Sequence, residues 1–165
     1  MKVLVTGGVK SGKSKFAELR CLELAAKEKA VYLATSEIID PEMQQRIAVH
    51  QSRRKDRFVT IEEPLALFQT LQNCRTTVLV ECLTMWINNM LFHKKSERSI
   101  FSEIEKGLQL PGSMVFVINE VGAGVIPDNL LARQFIDISG KVSQIVGKYA
   151  DEVHLCVAGQ SLRIK

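Results

Sequence analysis

The chain has 165 residues, 46% hydrophobic and 24% charged, with 22 basic against 18 acidic side chains and a formal charge of +4. That is length and apolar content for one domain, 1–165, with a real core, and it excludes disorder, collagen and a disulfide scaffold. The basic excess is too mild and too dispersed for a nucleic-acid partner, and no apolar run reaches the roughly 18 residues of a membrane span. Cys21, Cys74, Cys82 and Cys156 lack C-x-x-C spacing, so they read as free core thiols of a reducing compartment rather than a zinc site. MKVLVTGG meets glycine too early for a signal peptide, and the expected location is cytoplasmic.

The first predicted strand, KVLVT (2–6), runs into GGVKSGKS and then into a helical segment, FAELRCLELAA. Gly7-x4-Gly12-Lys13-Ser14 meets the G-x-x-x-x-G-K-[ST] pattern of a phosphate-binding loop. Glycines let the backbone curl so that successive N–H groups face an anion, and the helix N-terminus behind them adds partial positive charge. Lys13 would reach β- and γ-phosphate oxygens, and Ser14 would ligate Mg²⁺.

A second strand, AVYLAT (30–35), precedes ATSEIIDPEMQQRIAVHQSRR, where Asp40, Pro41 and Glu42 supply a cap and first turn for a helix. On that helix Arg46, His50, Arg53 and Arg54 share one face at spacings of three and four. A neutral imidazole flanked by arginines is what a phosphorus-directed nucleophile requires. The arginines neutralise a polyphosphate, and the ring, with an ordinary pKa of about 6.5, is mostly unprotonated at pH 7. His93, beside a basic loop, and His154, inside a strand, read as structural.

RFVTI (57–61) is the third predicted strand and TTVLVE (76–81) the fourth. The latter ends on Glu81, whose carboxylate emerges at the carboxyl edge of the sheet beside the phosphates, as the metal-side acid of such a loop must. HKKSERS (93–99) reads as a surface loop. SMVFVINE (113–120) ends on Glu120, in a turn with Asn119 and Gly122 to Gly124 that is equally well structural. Leu131, Phe135, Ile138, Val142, Ile145 and Tyr149 then mark one apolar helix face, opened by Pro127 and Asp128. EVHLCVAG (152–159) is the sixth strand, and SLRIK adds a short edge strand. Strands apolar on both faces, alternating with helices, predict an α/β fold: a mostly parallel central sheet with helices on both faces.

TGGVKSGKS, YLATSEIIDPEMQQRI with His50, Arg53-Arg54 followed by FVTIEEP, VECLTMWINNML, INEVGAGVIPDNLLARQFIDISGKVSQ and ADEVHLCVAGQSLRIK together resemble the bifunctional adenosylcobinamide kinase/adenosylcobinamide-phosphate guanylyltransferase family of cobalamin biosynthesis. The resemblance runs nearly the whole chain in order. It implies a RecA-like P-loop fold, a cytoplasmic homotrimer and two reactions. In the first, ATP or GTP phosphorylates the aminopropanol hydroxyl of adenosylcobinamide. In the second, GMP passes from GTP through a histidine to adenosylcobinamide phosphate, giving adenosylcobinamide-GDP and pyrophosphate.

By that resemblance the phosphate cradle comprises Gly7, Gly8, Val9, Lys10, Ser11, Gly12, Lys13 and Ser14. His50 carries the guanylyl group, and Gln51, Ser52, Arg53 and Arg54 contact nucleotide, as do Ala34, Thr35 and Ser36 at the end of the second strand. Either Glu62 or Glu63 matches a nucleotide-contacting glutamate, and Glu81 takes the magnesium side with Ser14. Lys10, Phe58, Glu81 and Ser143 stand where the family commonly has Arg, Trp, Asp and Asn. Two rival readings predict different behaviour: a P-loop kinase of another small metabolite without guanylyl transfer, and a GTP-hydrolysing switch that captures a partner.

Overall fold

The computed structural model describes residues 1–37 and 57–165. Seven strands form one sheet: β1 (Lys2–Gly7), β2 (Ala30–Ala34), β3 (Phe58–Glu62), β4 (Val78–Glu81), β5 (Met114–Asn119), β6 (Glu152–Val157) and β7 (Gln160–Arg163). Their order across the sheet is β3-β2-β4-β5-β1-β6-β7. Every pairing is parallel except β6 with β7, which is an antiparallel hairpin at one edge. The expected α/β architecture, with all six predicted strands and the short edge strand, is the one observed.

The described helices are α1 (Lys13–Ala25), α2 (Leu67–Asn73), α3 (Leu83–Phe92), α4 (Glu97–Gln109) and α5 (Leu130–Tyr149). Because side chains alternate along a strand, each inner strand feeds two cores. Val3 and Val5 of β1, with Tyr32, Leu79, Val115 and Val117, pack against Ala17, Cys21 and Ala25 of α1. Leu4, Leu33, Val80 and Phe116 point the other way, to Leu71 of α2, Trp86 and Ile87 of α3, Ile104 of α4 and Val142 of α5. This double burial is why the strands read as unbroken apolar runs. Each fully buried side chain of this size contributes about 1.5–3 kcal/mol relative to exposure. Among the described residues, no helix is long and apolar enough to cross a membrane.

Two boundaries differ from expectation. The long helix starts at Leu130, and its cap is Asn129, whose side chain accepts from the Ala132 N–H. Pro127 and Asp128 lie ahead of it, their carbonyls held by Arg133. The expected loop 93–99 is shorter, because Ser96 caps α4 by accepting from the Ser99 N–H, so Glu97 and Arg98 are already helical. The cap converts half of a polar run into a first turn. The helix expected from Asp40, with Arg46, lies outside the described residues.

Candidate active site

The segment between β1 and α1 is bent by backbone conformations that few side chains tolerate. Gly7 has φ +148°, Lys10 +54° and Gly12 +98°. A Cβ on Gly7 would collide with the carbonyl oxygen of Cys156 in β6. Gly12 caps α1 without a side-chain hydrogen bond, and the first turn of α1 contains no acidic residue. The opening N–H groups of the helix, which have no intrahelical acceptor, are therefore left to an anion.

Lys13 is only 6% exposed. Its Nζ donates to the Gly8 carbonyl at 2.7 Å, folding the side chain over the loop. Burial pushes its pKa below 10.5, partly opposed by Glu81 and by the thiols of Cys82 and Cys156. Ser14 Oγ donates to Glu81 Oε1 at 2.8 Å, bridging from the helix after β1 to the end of β4, with β5 the one strand between them. These are hard oxygen donors, a set that suits Mg²⁺ when phosphate oxygens and water complete the shell. A cavity of about 640 Å³ opens over this loop, lined by Lys10, Lys13, Ser14, Lys15, Arg57 and Asn119 among others.

Strand register gathers more of the expected residues. Ala34 of β2 stands opposite Glu62 of β3 on one side and Glu81 of β4 on the other. Thr35 is fully buried. Its N–H donates to the Glu81 carbonyl and its Oγ1 to the Cys82 carbonyl at 2.8 Å, so it ties β2 to the end of β4. Ser36 follows, half-buried. The doublet in IEEP divides its labour: Glu63 Oε1 accepts from the N–H groups of Leu65 and Ala66, both at 2.8 Å, closing the turn into α2. Glu62, at the carboxyl end of β3, does not make that turn. His50, Gln51, Ser52, Arg53 and Arg54 lie outside the described residues.

His154, His93 and Glu120 each engage a neighbouring group of the fold. His154 Nε2 is 3.1 Å from Glu152 Oε2 and its ring packs on Phe16. His93 Nε2 lies 2.9 Å from Glu37 Oε1. Glu120 Oε1 accepts from the Gly122 N–H within its own turn. The cysteines are free; burial pushes the Cys21 thiol up to about 12 and the Cys82 thiol up to about 11. Sequence reasoning missed Lys15, Arg57 and Asn119 on the cavity wall, Gly159 behind the loop, and the Trp86 and Asn89 side chains of α3. The signal for the last two was present, as polar atoms inside the apolar run LTMWINNML.

The family model of cobinamide kinase / cobinamide phosphate guanyltransferase, CobU, matches residues 3–164. The chain belongs to this family. It is similar to the bifunctional adenosylcobalamin biosynthesis protein CobU of Escherichia coli (strain K12), 36% identical over 184 residues and covering 100% of both chains. It is likewise similar to CobP of Pseudomonas aeruginosa, 38% identical over 174 residues, covering 100% of this chain and 98% of that protein. CobU of Salmonella typhimurium is 36% identical over 188 residues, with both chains fully covered. Among solved structures, the flagellar accessory protein FlaH of Methanocaldococcus jannaschii aligns at TM-score 0.52 and 10% identity, over 98% of this chain and 75% of that one. An ATPase of a bacterial type III secretion system aligns at TM-score 0.53 and 14% identity, over 93% and 50%. These two share the fold.

Proposed function

We propose that this chain phosphorylates the aminopropanol hydroxyl of adenosylcobinamide with ATP or GTP, then transfers GMP from GTP to adenosylcobinamide phosphate through His50. The observation that carries the reading is the contact of Ser14 with Glu81 beneath a glycine loop closed by Lys13, in a chain of this family.

In the first reaction the substrate hydroxyl oxygen attacks the γ-phosphorus, the bond to the β–γ bridging oxygen breaks, and the hydroxyl proton leaves to solvent. The nucleoside diphosphate departs with the electron pair of that bond. Lys13 and the loop N–H groups neutralise charge that builds on the phosphoryl oxygens, and Gly7 and Gly8 let the backbone approach them. Ser14 and Glu81 would hold Mg²⁺, which would supply Lewis-acid charge to the phosphates when bound.

The second reaction breaks at the α-phosphorus. A ring nitrogen of His50 attacks it, and pyrophosphate leaves with the electron pair of the α–β bridge. A phosphate oxygen of adenosylcobinamide phosphate then attacks the same phosphorus, and the P–N bond breaks with its electron pair returning to the His50 nitrogen, giving adenosylcobinamide-GDP. Gln51, Ser52, Arg53 and Arg54 hold the nucleotide beside His50. Ala34, Ser36 and Glu62 border it from the β2 and β3 ends, while Thr35 and Glu63 fix the backbone there. A cytoplasmic homotrimer belongs to the same proposal.

The test uses GTP labelled at the α- or, separately, the γ-phosphorus, with Mg²⁺ and no corrinoid. Label on the protein from the α position only, lost in acid, stable in base and absent in His50→Ala, is the expected result. Absence of α-label in the wild-type protein would reduce it to a P-loop kinase. Light scattering of the eluted protein reports the trimer.

A further inference from the structure

Asn89 sits in the second turn of α3, with 1% of its surface exposed. Its Nδ2 donates to two carbonyls of separate segments, Thr35 at 2.7 Å and Pro64 at 3.2 Å. One turn earlier on the same helix face, Trp86 Nε1 donates to the Leu65 carbonyl at 2.9 Å. Both backbone stretches follow strand ends at the carboxyl edge of the sheet, and Glu62 lies just ahead of Pro64. The helix that supplies these donors begins two residues after Glu81.

A buried primary amide is expensive unless its hydrogen bonds are made. Here both amide hydrogens are used on the two segments, while Oδ1 has no hydrogen-bond partner among the described residues. Leucine would fill such a site between Trp86 and Met90 with less desolvation. The amide therefore serves the carbonyls it holds rather than its own satisfaction.

We infer that Asn89 is a positioning residue that holds the β2 end and the Glu62–Pro64 turn at a fixed separation, and so sets the width of the nucleotide site on the side away from the phosphate loop. This rests on the reading that those two segments border the nucleotide. Because α3 also carries the backbone that follows Glu81, one rigid helix fixes three parts of the site together. The loss of Asn89 is felt in nucleotide affinity, not in the bond-breaking steps, since Lys13, Ser14 and Glu81 keep their contacts.

The experiment measures KM for GTP and kcat for guanylyl transfer in Asn89→Leu and Asn89→Asp, with melting temperatures. Ile104→Ala, in the buried core of α4 away from the site, controls for lost stability, and Glu62→Gln tests the underlying reading. Asn89→Leu is expected to raise KM for GTP about tenfold, with kcat at saturating GTP changed less than about twofold. In Asn89→Asp a carboxylate faces two carbonyls, whereas its protonated form donates to one of them, so its KM falls as pH is lowered. If Glu62→Gln raises KM but Asn89→Leu changes it no more than Ile104→Ala does, the inference fails and the site reading stands. If neither Glu62→Gln nor Asn89→Leu moves KM, both are overturned.

Discussion

The Gly159 N–H donates to the Ser11 carbonyl at 2.9 Å, pinning the β6–β7 hairpin to the back of the phosphate loop. The hairpin turns on two residues with positive φ, Ala158 at 51° and Gly159 at 80°, the type I′ geometry that matches strand twist. A Cβ on Gly12 would lie 3.0 Å from Gly159 Cα. The glycine-rich loop is thus wedged between its own helix and a hairpin some 150 residues further along the chain.

This wedge separates two glycine substitutions. In Gly12→Ala the added methyl meets backbone and the φ of +98° is itself unfavourable, so nucleotide affinity should fall by about tenfold or more in equilibrium titration. In Gly159→Ala nothing lies within 4 Å of the new methyl, and only the left-handed backbone is penalised. That costs about 1 kcal/mol, a melting temperature lower by about 2–4 °C, with nucleotide affinity nearly unchanged.

The Ser14–Glu81 contact makes a second prediction, about metal dependence. Glu81→Gln keeps an oxygen that can accept from Ser14 but removes the negative charge. Its melting temperature should stay close to wild type, while the Mg²⁺ concentration needed for half-maximal kinase activity rises and kcat falls about 10²-fold. Lys13→Met should lose a similar factor in kcat without the metal shift. Steady-state rates across a Mg²⁺ titration distinguish the two.

A third concerns acid stability and lies away from the site. Glu152, 5% exposed, accepts from Arg20 Nε at 3.0 Å and Nη2 at 2.7 Å, with His154 Nε2 3.1 Å away. Hydrogen bonds from Arg20 hold its carboxyl below 4.5 despite burial, which acts the other way, and His154 adds a smaller lowering. A carboxylate depressed on folding contributes stability above its unfolded pKa and loses it as pH falls through the folded one. Arg20→Ala should therefore cost about 1–3 kcal/mol near neutral pH. Thermal melts should show the gap to wild type narrowing below about pH 4.5, where the carboxyl protonates in the unfolded chain.

Much of the molecule was readable before its structure because the relevant physics is local. Strands buried on both faces must be apolar throughout, and VLVT, VYLA and VFVI announce themselves. The start of α5 was less readable, because Pro127 and Asp128 offer first-turn chemistry that Asn129 supersedes by capping Ala132. Ser96 inside HKKSERS is the same kind of case: a capping residue within a polar run looks like more loop until its hydroxyl is seen to accept from Ser99.

The site divides along the same line. Gly7 to Ser14 are contiguous, so curled backbone, positive helix end, lysine and hydroxyl are all specified within eight positions, and the sequence alone determined that this chain handles a nucleoside polyphosphate and which family it belongs to. What lies beside that loop depends on strand order and register, which no local pattern encodes. Only the tertiary structure decided that Glu62, Ala34 and Glu81 stand side by side, that Glu63 is spent on a turn, and that Thr35 is a buried tie. It also decided which backbone groups Asn89 and Gly159 bond: the Thr35 and Pro64 carbonyls for the one, the Ser11 carbonyl for the other. Apart from the local Glu63 turn, those relations are made by hydrogen bonds between segments far apart in the chain, and their partners exist only once the sheet has assembled.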